Sequence, residues 1–357
     1  MYFHSASLSF AKQLDFKNAT NYVERKASES EFVTLVLDTV NMAVHVWLLL
    51  AVSVASEPRD FDFFVTSTVD LEMHAGTQSD PFTGLDQALT STRDRPEVSL
   101  SLIPASNSFR LATPFQVENE LTIAAAALVD LHFSASVGVL REAHLTLVNV
   151  SLSSEGILEH LLAVEGELRF QGCVIHSCAA PIVVLHSGYF GADDSSYEAN
   201  EAVAVQVVEW NAIVELSRVE VRGHVGTFVS LVPAAGSGRL LLSVVHCKAS
   251  SCAFRETESL FHIKLPGDSQ SGGNVTVVAT EFSHNAIPLF AFDVQGSSVS
   301  LSDLLFESNS AQGLLIAQRS SDFQFSNSRW HANQGTMMTI TSLTGIQTKT
   351  GTSAGTG

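Results

Sequence analysis

Phe282, Phe306 and Trp330 stand 24 residues apart, and so do Asn285, Asn309 and Asn333. A large apolar residue, two spacers and an asparagine at one fixed period constrain the fold more than any other feature of the chain. Followed towards the N-terminus, the pattern gives rungs that start near residues 125, 144, 167, 189, 213, 241, 274, 298 and 322. The apolar column then reads Phe133, Leu152, Ile175, Tyr197, Val221, Ala249, Phe282, Phe306, Trp330. The asparagine column reads Ser136, Glu155, Cys178, Asn200, His224, Cys252, Asn285, Asn309, Asn333. Inside each rung apolar residues alternate, as at Val275/Val277, Val299/Leu301 and Phe323/Phe325. Alternation with period two marks strands that bury one face.

A unit this short cannot enclose a core, so neighbouring rungs must stack on one another. Coiling the strands about an axis achieves this, and amides at one corner of the coil can then hydrogen-bond along the axis. Asn285, Asn309 and Asn333 are therefore expected as a structural ladder. The fold class that follows is all-β: a single-stranded right-handed parallel β-helix of about nine rungs over residues 125–345. Its expected core includes Val275, Val277, Phe282, Val299, Leu301, Phe306, Phe323, Phe325 and Trp330. A flat sandwich, with strands every 8 to 12 residues and no column identity, fits poorly.

An open apolar coil end would aggregate, so a cap is expected, and residues 57–124 are assigned to it. Between 60 and 104 the order is strand, turn, short helix, strand. Thr83 with Asp86 forms a capping-box-like start, and Phe82, Leu85 and Leu89 share a helical face. The strand followed by GTQSDPFTGLDQAL and then VSLSLIP is similar to the entry segment of the right-handed parallel β-helix (pectin-lyase-like) superfamily. The resemblance spans residues 60 to 345 at the level of repeats. It implies a fold shared by extracellular polysaccharide enzymes and by non-catalytic surface proteins. Residues 346–357 read as a Gly/Thr-rich tail.

Nineteen Lys and Arg against 37 Asp and Glu give a net charge of -18. Such a surface repels phosphate, which argues against a nucleic-acid partner. Residues 42–56 form a short apolar run with Val54 and Ser56 at the −3 and −1 positions of a signal-peptidase site. The expectation is a cleaved signal peptide, preceded at 1–41 by a disordered upstream extension and leading to a secreted or cell-surface protein. The alternative is a signal anchor. A membrane would be met only through an uncleaved 42–56 or a region beyond this chain. Asn149 and Asn274 head N-glycosylation sequons, and the outward position of Asn149 favours it.

The four cysteines form two pairs of the same spacing, Cys173/Cys178 and Cys247/Cys252. Bridging between the pairs would span about 14 Å, beyond disulfide reach. Two arrangements stay open: a bridge within each rung, or four buried thiols. The spacing makes a poor zinc signature, and no cofactor is expected.

Residues five and seven past each rung start should face outward. Asp194, Arg218 and His246 thus form one surface column, with Ser196, Glu220, Lys248 and Glu281 beside it. Asp194, Arg218, Glu220 and His246 are the candidate polysaccharide site, and a ladder of opposite charges, Glu220–Lys248–Glu281, is the simpler account. Polygalacturonase-like enzymes carry Asn-Thr-Asp, Asp-Asp, Gly-His-Gly and Arg-Ile-Lys motifs in that order. This chain resembles them only at Asp193-Asp194, at Gly223-His224, where Val225 interrupts, and at Ile263-Lys264, where His262 replaces the arginine. Adjacent Asp193 and Asp194 would point to opposite faces of a strand. The function expected is a structural or adhesive, non-catalytic surface protein with extracellular glycans or other surface proteins as partners. A polysaccharide lyase or hydrolase is the alternative, and a carbohydrate-binding module is the third reading.

Overall fold

The computed structural model describes residues 63–349, apart from 68–74, 79–80, 104–107, 155–157, 235, 254–258, 266–271, 295, 311–314, 319–321, 336–337 and 342–345. The expectations for 1–41 and 42–56 lie outside the described residues, as does the tail beyond 349. Among the described residues all strand pairings are parallel, and the strands pair with their equivalents on the neighbouring rungs. The chain is a parallel β-solenoid. This is the architecture that the resemblance to pectin-lyase-like proteins implied.

Each complete rung carries three strands. A long strand, such as Gly188–Asp193 or Ala212–Ser217, leads through a bend into a three-residue strand, such as Ser196–Glu198 or Glu220–Arg222. A second bend leads to a third face, whose ten strands run from Phe115–Val117 to Met338–Thr341. The rung starts fall in register in the order His144, Glu167, Tyr189, Ile213, Leu241, Asn274, Ser298, Asp322. The first rung differs from expectation: Glu120, not residue 125, pairs with His144, and Leu131, not Phe133, pairs with Leu152. The cause is an irregularity between Ala124 and Val129, where the extra residues throw the column out of phase.

Two left-handed residues per rung make the bends. The first column holds Asn149, Gly172, Asp194, Arg218, His246, Ala279, Asp303 and Asn327, with φ between 48° and 62°. The second holds Ser177, Ala199, Gly223, Ser251, His284, Ser308 and Ala332. This conformation crowds Cβ against the backbone. Stacking offsets that cost, because the bend amides donate to the next rung, as from Asp194 to Ser217 O at 3.1 Å and from Arg218 to Val245 O at 3.0 Å.

The residue after each bend points inward. Where it is a serine or threonine after the first bend, its hydroxyl donates back to the carbonyl two residues earlier: Ser195 Oγ to Asp193 O at 2.9 Å, Thr280 Oγ1 to Val278 O at 3.0 Å, Ser328 Oγ to Ser326 O at 3.0 Å. The cysteines serve the same geometry. Cys247 Sγ lies 3.4 Å from Val245 O, Cys178 Sγ 3.4 Å from His176 O, and Cys252 Sγ 3.6 Å from Ser250 O. Their spacing is thus the spacing of the two bends. All four are buried free thiols, the second of the two arrangements the sequence left open.

The asparagine ladder is continuous. Asn285 Nδ2 donates to Asn309 Oδ1 at 3.0 Å, and Asn309 Nδ2 to Asn333 Oδ1 at 2.9 Å. Each amide also donates to a backbone carbonyl, Asn285 to Ala249, Asn309 to Phe282 and Asn333 to Phe306. The aromatic column stacks beside it, Phe282 on Phe306 at 5.5 Å and Phe306 on Trp330 at 4.0 Å between centroids. Seven of the nine expected core residues are buried, whereas Phe325 and Trp330 are only partly so and pack against the edge of the core.

Helix α1 (Leu85–Thr92) packs Leu85, Ala88 and Leu89 into the coil end beside Phe82. The expected capping box is absent: Gly84 is the N-cap, without a side-chain bond. Thr83 bonds Gln87 Oε1 instead, and Asp86 reaches out to Ala112 N at 3.1 Å and Thr113 Oγ1 at 2.6 Å. The carboxylate that would have capped the helix ties it to the loop before Phe115. Parallel pairing already joins Phe63–Thr66 to Glu97–Ile103, and Ile346–Lys349 to Asp322–Ser326. The ladder therefore runs through part of the stretches assigned to cap and tail.

Candidate functional site

The expected column of Asp194, Arg218 and His246 exists, and all three are exposed at successive bends. Arg218 grips Asp194 with two nitrogens, Nε to Oδ1 at 2.6 Å and Nη2 to Oδ2 at 2.9 Å. The same Nη2 donates to Asp193 Oδ2, and Nη1 reaches Ser217 Oγ at 3.3 Å. Asp193 and Asp194 do not point to opposite faces. Asp194 is left-handed, which breaks the alternation and turns both carboxylates onto one guanidinium. Arg218 holds the Asp194 carboxyl below its ordinary range through this hydrogen bond, against the opposing effect of burial.

The other two candidates stand apart. The His246 side chain makes no hydrogen bond or ion pair among the described residues. Glu220 pairs with Arg222 on its own strand at 2.7 Å, although Lys248 is its register partner. Lys248 pairs with Glu281 at 3.1 Å, so half of the expected charge ladder is present.

A second network, missed from the sequence, lies beside this corner on the long strands. Glu167 meets His144 Nδ1 at 3.3 Å and accepts from Arg169 Nε. The Arg169 guanidinium lies 5.0 Å from the Tyr189 ring centroid. Tyr189 donates to Glu215 Oε2 at 2.8 Å. Burial, reinforced by the Glu215 carboxylate, pushes the phenol up to about 12. The ring reaches Glu215 by lying across Gly191, where a Cβ would stand 2.6 Å from the phenol oxygen and 2.8 Å from Cε1. The available signal was positional: Glu167, Arg169, Tyr189, Gly191 and Glu215 all sit zero or two residues past a rung start.

The polygalacturonase-like residues do not converge. Asp193 and Asp194 lie at the first bend, His224 is fully buried with Nε2 3.1 Å from Thr227 O, and Lys264 is exposed on the third face. Burial lowers the His224 pKa. Of the two sequons, Asn274 is exposed and accepts from Ser298 Oγ at 3.1 Å. Asn149 is half-buried at a bend, its amide donating to Ala125 O at 3.2 Å, so the favoured site is the less open one. No group of three or more His, Cys, Asp or Glu among the described residues is arranged to hold a metal ion. No helix among them is long and apolar enough to cross a membrane.

No family model matches the chain, and no curated protein does. Among solved structures it is similar to a rhamnogalacturonan lyase, with a TM-score of 0.48 and 10% sequence identity over 81% of this chain and 86% of that one.

Chemically, the two networks are closed on themselves. Glycoside hydrolysis needs two carboxyls flanking an open space for the scissile bond, one of them still protonated at working pH. Here Asp193 and Asp194 flank an arginine. On this face the fold moves the Asp194 carboxyl and the Tyr189 phenol away from neutrality in opposite directions. Neither is placed to pass a proton near pH 7.

Proposed function

We propose that the protein is a non-catalytic, extracellular β-solenoid with a structural or adhesive role, its long face meeting other surface proteins or glycans. One observation carries this reading: Asp193, Asp194 and Arg218, and beside them Glu167, Arg169, Tyr189 and Glu215, are already engaged with one another through ion pairs and hydrogen bonds. Such closed networks stiffen a surface without offering a free acid or base. Secretion is supported by the apolar run at 42–56 and by the exposed sequon at Asn274, where a glycan is proposed.

The test is a reducing-end and unsaturated-product assay on acidic and neutral polysaccharides, run beside a glycan array. Silence in the assay is expected. Turnover lost in both Asp194→Asn and Glu215→Gln would replace this reading with a lyase or hydrolase. Glycan binding without turnover, lost in Tyr189→Ala, would make the long face a carbohydrate-binding surface.

A further inference from the structure

The charged side chains of the two networks on the long face are paired with one another. On the third face, beside the helix, the reverse holds. There the outward register runs Gln116, Gly138, Ala163, Val184. Two consecutive rungs with almost no side chain leave a trough in the sheet surface. Pro114 and Phe115 form its apolar wall, and Arg93, at the C-terminus of α1, together with His160 borders it. The cleft measures about 490 Å³, within the range of sites that take small ligands.

Its charge sets it apart. The chain carries 37 acidic residues and a net charge of -18, yet no acidic side chain is among the described residues that line the cleft. Two of the polar side chains that line it, Gln116 and His160, are unengaged, while Ser136 and Arg93 each keep one bond. Gln116 is exposed, and neither its amide nor the His160 imidazole has a side-chain partner among the described residues; only the His160 carbonyl is used, accepting from Ser136 Oγ at 2.6 Å. Arg93 gives Nη2 to Glu118 at 2.6 Å. That bond orients the guanidinium and leaves Nε and Nη1 without a partner.

From this we infer that the cleft binds an anionic oligosaccharide of two or three rings. Its carboxylate or sulfate would take the free edge of Arg93, with His160 nearby, and a ring face would lie against Phe115. A guanidinium fork matches either anion. A flat floor with one aromatic wall and a two-way amide such as Gln116 suits a ring studded with hydroxyls. An apolar peptide anchor would need a deep socket, which the bare floor does not offer. This inference is independent of whether the long face is catalytic, so turnover there would leave it standing.

The experiment is calorimetric titration of the full chain with a sulfated disaccharide, a digalacturonate and uncharged cellobiose. At least one anionic probe is expected to bind with a Kd below about 1 mM, more weakly as salt rises, and cellobiose is expected not to bind. Which anion binds tells a sulfated ligand from a carboxylated one. Arg93→Ala should weaken binding tenfold or more. Gly138→Leu should abolish it by filling the floor, and the new Cβ meets only Gln116 Cγ at 3.6 Å, an ordinary contact. Circular dichroism of both variants should match the parent. Binding of neither anionic probe, equal binding of cellobiose, or affinity unchanged in both variants would overturn the proposal.

Discussion

A single asparagine in this coil does several jobs, and its worth depends on its neighbours. Asn309 accepts from the backbone and side-chain amides of Asn285 and donates to Phe282 O and Asn333 Oδ1. Asn200 accepts from Cys178 N at 3.0 Å and donates to Ile175 O at 2.9 Å, with no amide above or below it. Both are fully buried. Leaving buried partners unsatisfied costs about 1–3 kcal/mol, so Asn309→Ala should lose about that much and Asn200→Ala less. Urea denaturation of the two variants checks the order, and equal losses would contradict it. The cysteines give a second expectation. Burial pushes Cys178, Cys247 and Cys252 up to about 11, and the thiolate is the reactive form. All four should resist a thiol reagent at pH 8 in the native protein and react at once in denaturant. A native thiol that reacts promptly would mean that its bend opens.

At the scale of the element, the bends rather than the strands are the demanding parts. Each requires a left-handed residue, and the chain fills the first column with asparagine, glycine, aspartate, arginine, histidine and alanine. None of these is β-branched. Ala279, at φ 50°, is a clear place to test the requirement. Ala279→Val should cost about 1–2 kcal/mol, because a branched Cβ crowds the following carbonyl in this conformation. Ala279→Asn should be nearly neutral, since Asn tolerates it. Thermal melts of the two variants would separate them, and similar losses would show that the bend relaxes. The bends also explain what sequence periodicity missed. A left-handed residue flips the inside–outside alternation, so Asp193 and Asp194 share one guanidinium instead of opposing each other.

Across the whole molecule, stability should depend on pH at both ends of the scale. The raised Tyr189 phenol and cysteine thiols favour the folded state while protonated. Their contribution is complete below the unfolded values near 9 to 10 and is lost as pH rises through about 11 to 12. Asp194 is lowered, so its contribution is present above the ordinary value of 3.8 and is lost as pH falls through the lower folded value. Far-ultraviolet circular dichroism is expected to show a strand-dominated spectrum that is steady from pH 5 to 9, with the melting temperature falling on either side. A melting temperature still rising above pH 10 would contradict the linkage. Because rungs touch only their neighbours, the loss should begin where these groups cluster and spread along the coil.

The sequence by itself determined the coil. A 24-residue period, an asparagine column and alternating apolar residues leave few ways to bury the core, and all eight rung starts from 144 onward pair with one another in the expected register. Periodicity carries this information because every rung repeats the same packing problem. It failed where the repeat is broken: at the insertion after Ala124, at the helix start, and at Phe325 and Trp330, which pack against the edge of the core. The surface was legible only in part. Asp194, Arg218 and His246 could be placed in one column from their spacing, but which of them touch was decided by backbone handedness and rotamer. The Glu167–Arg169–Tyr189–Glu215 network and the cleft over Gly138 were decided only in three dimensions. Both depend on neighbours from different rungs and on the room that small residues leave, a property of the assembled surface rather than of any one stretch of chain.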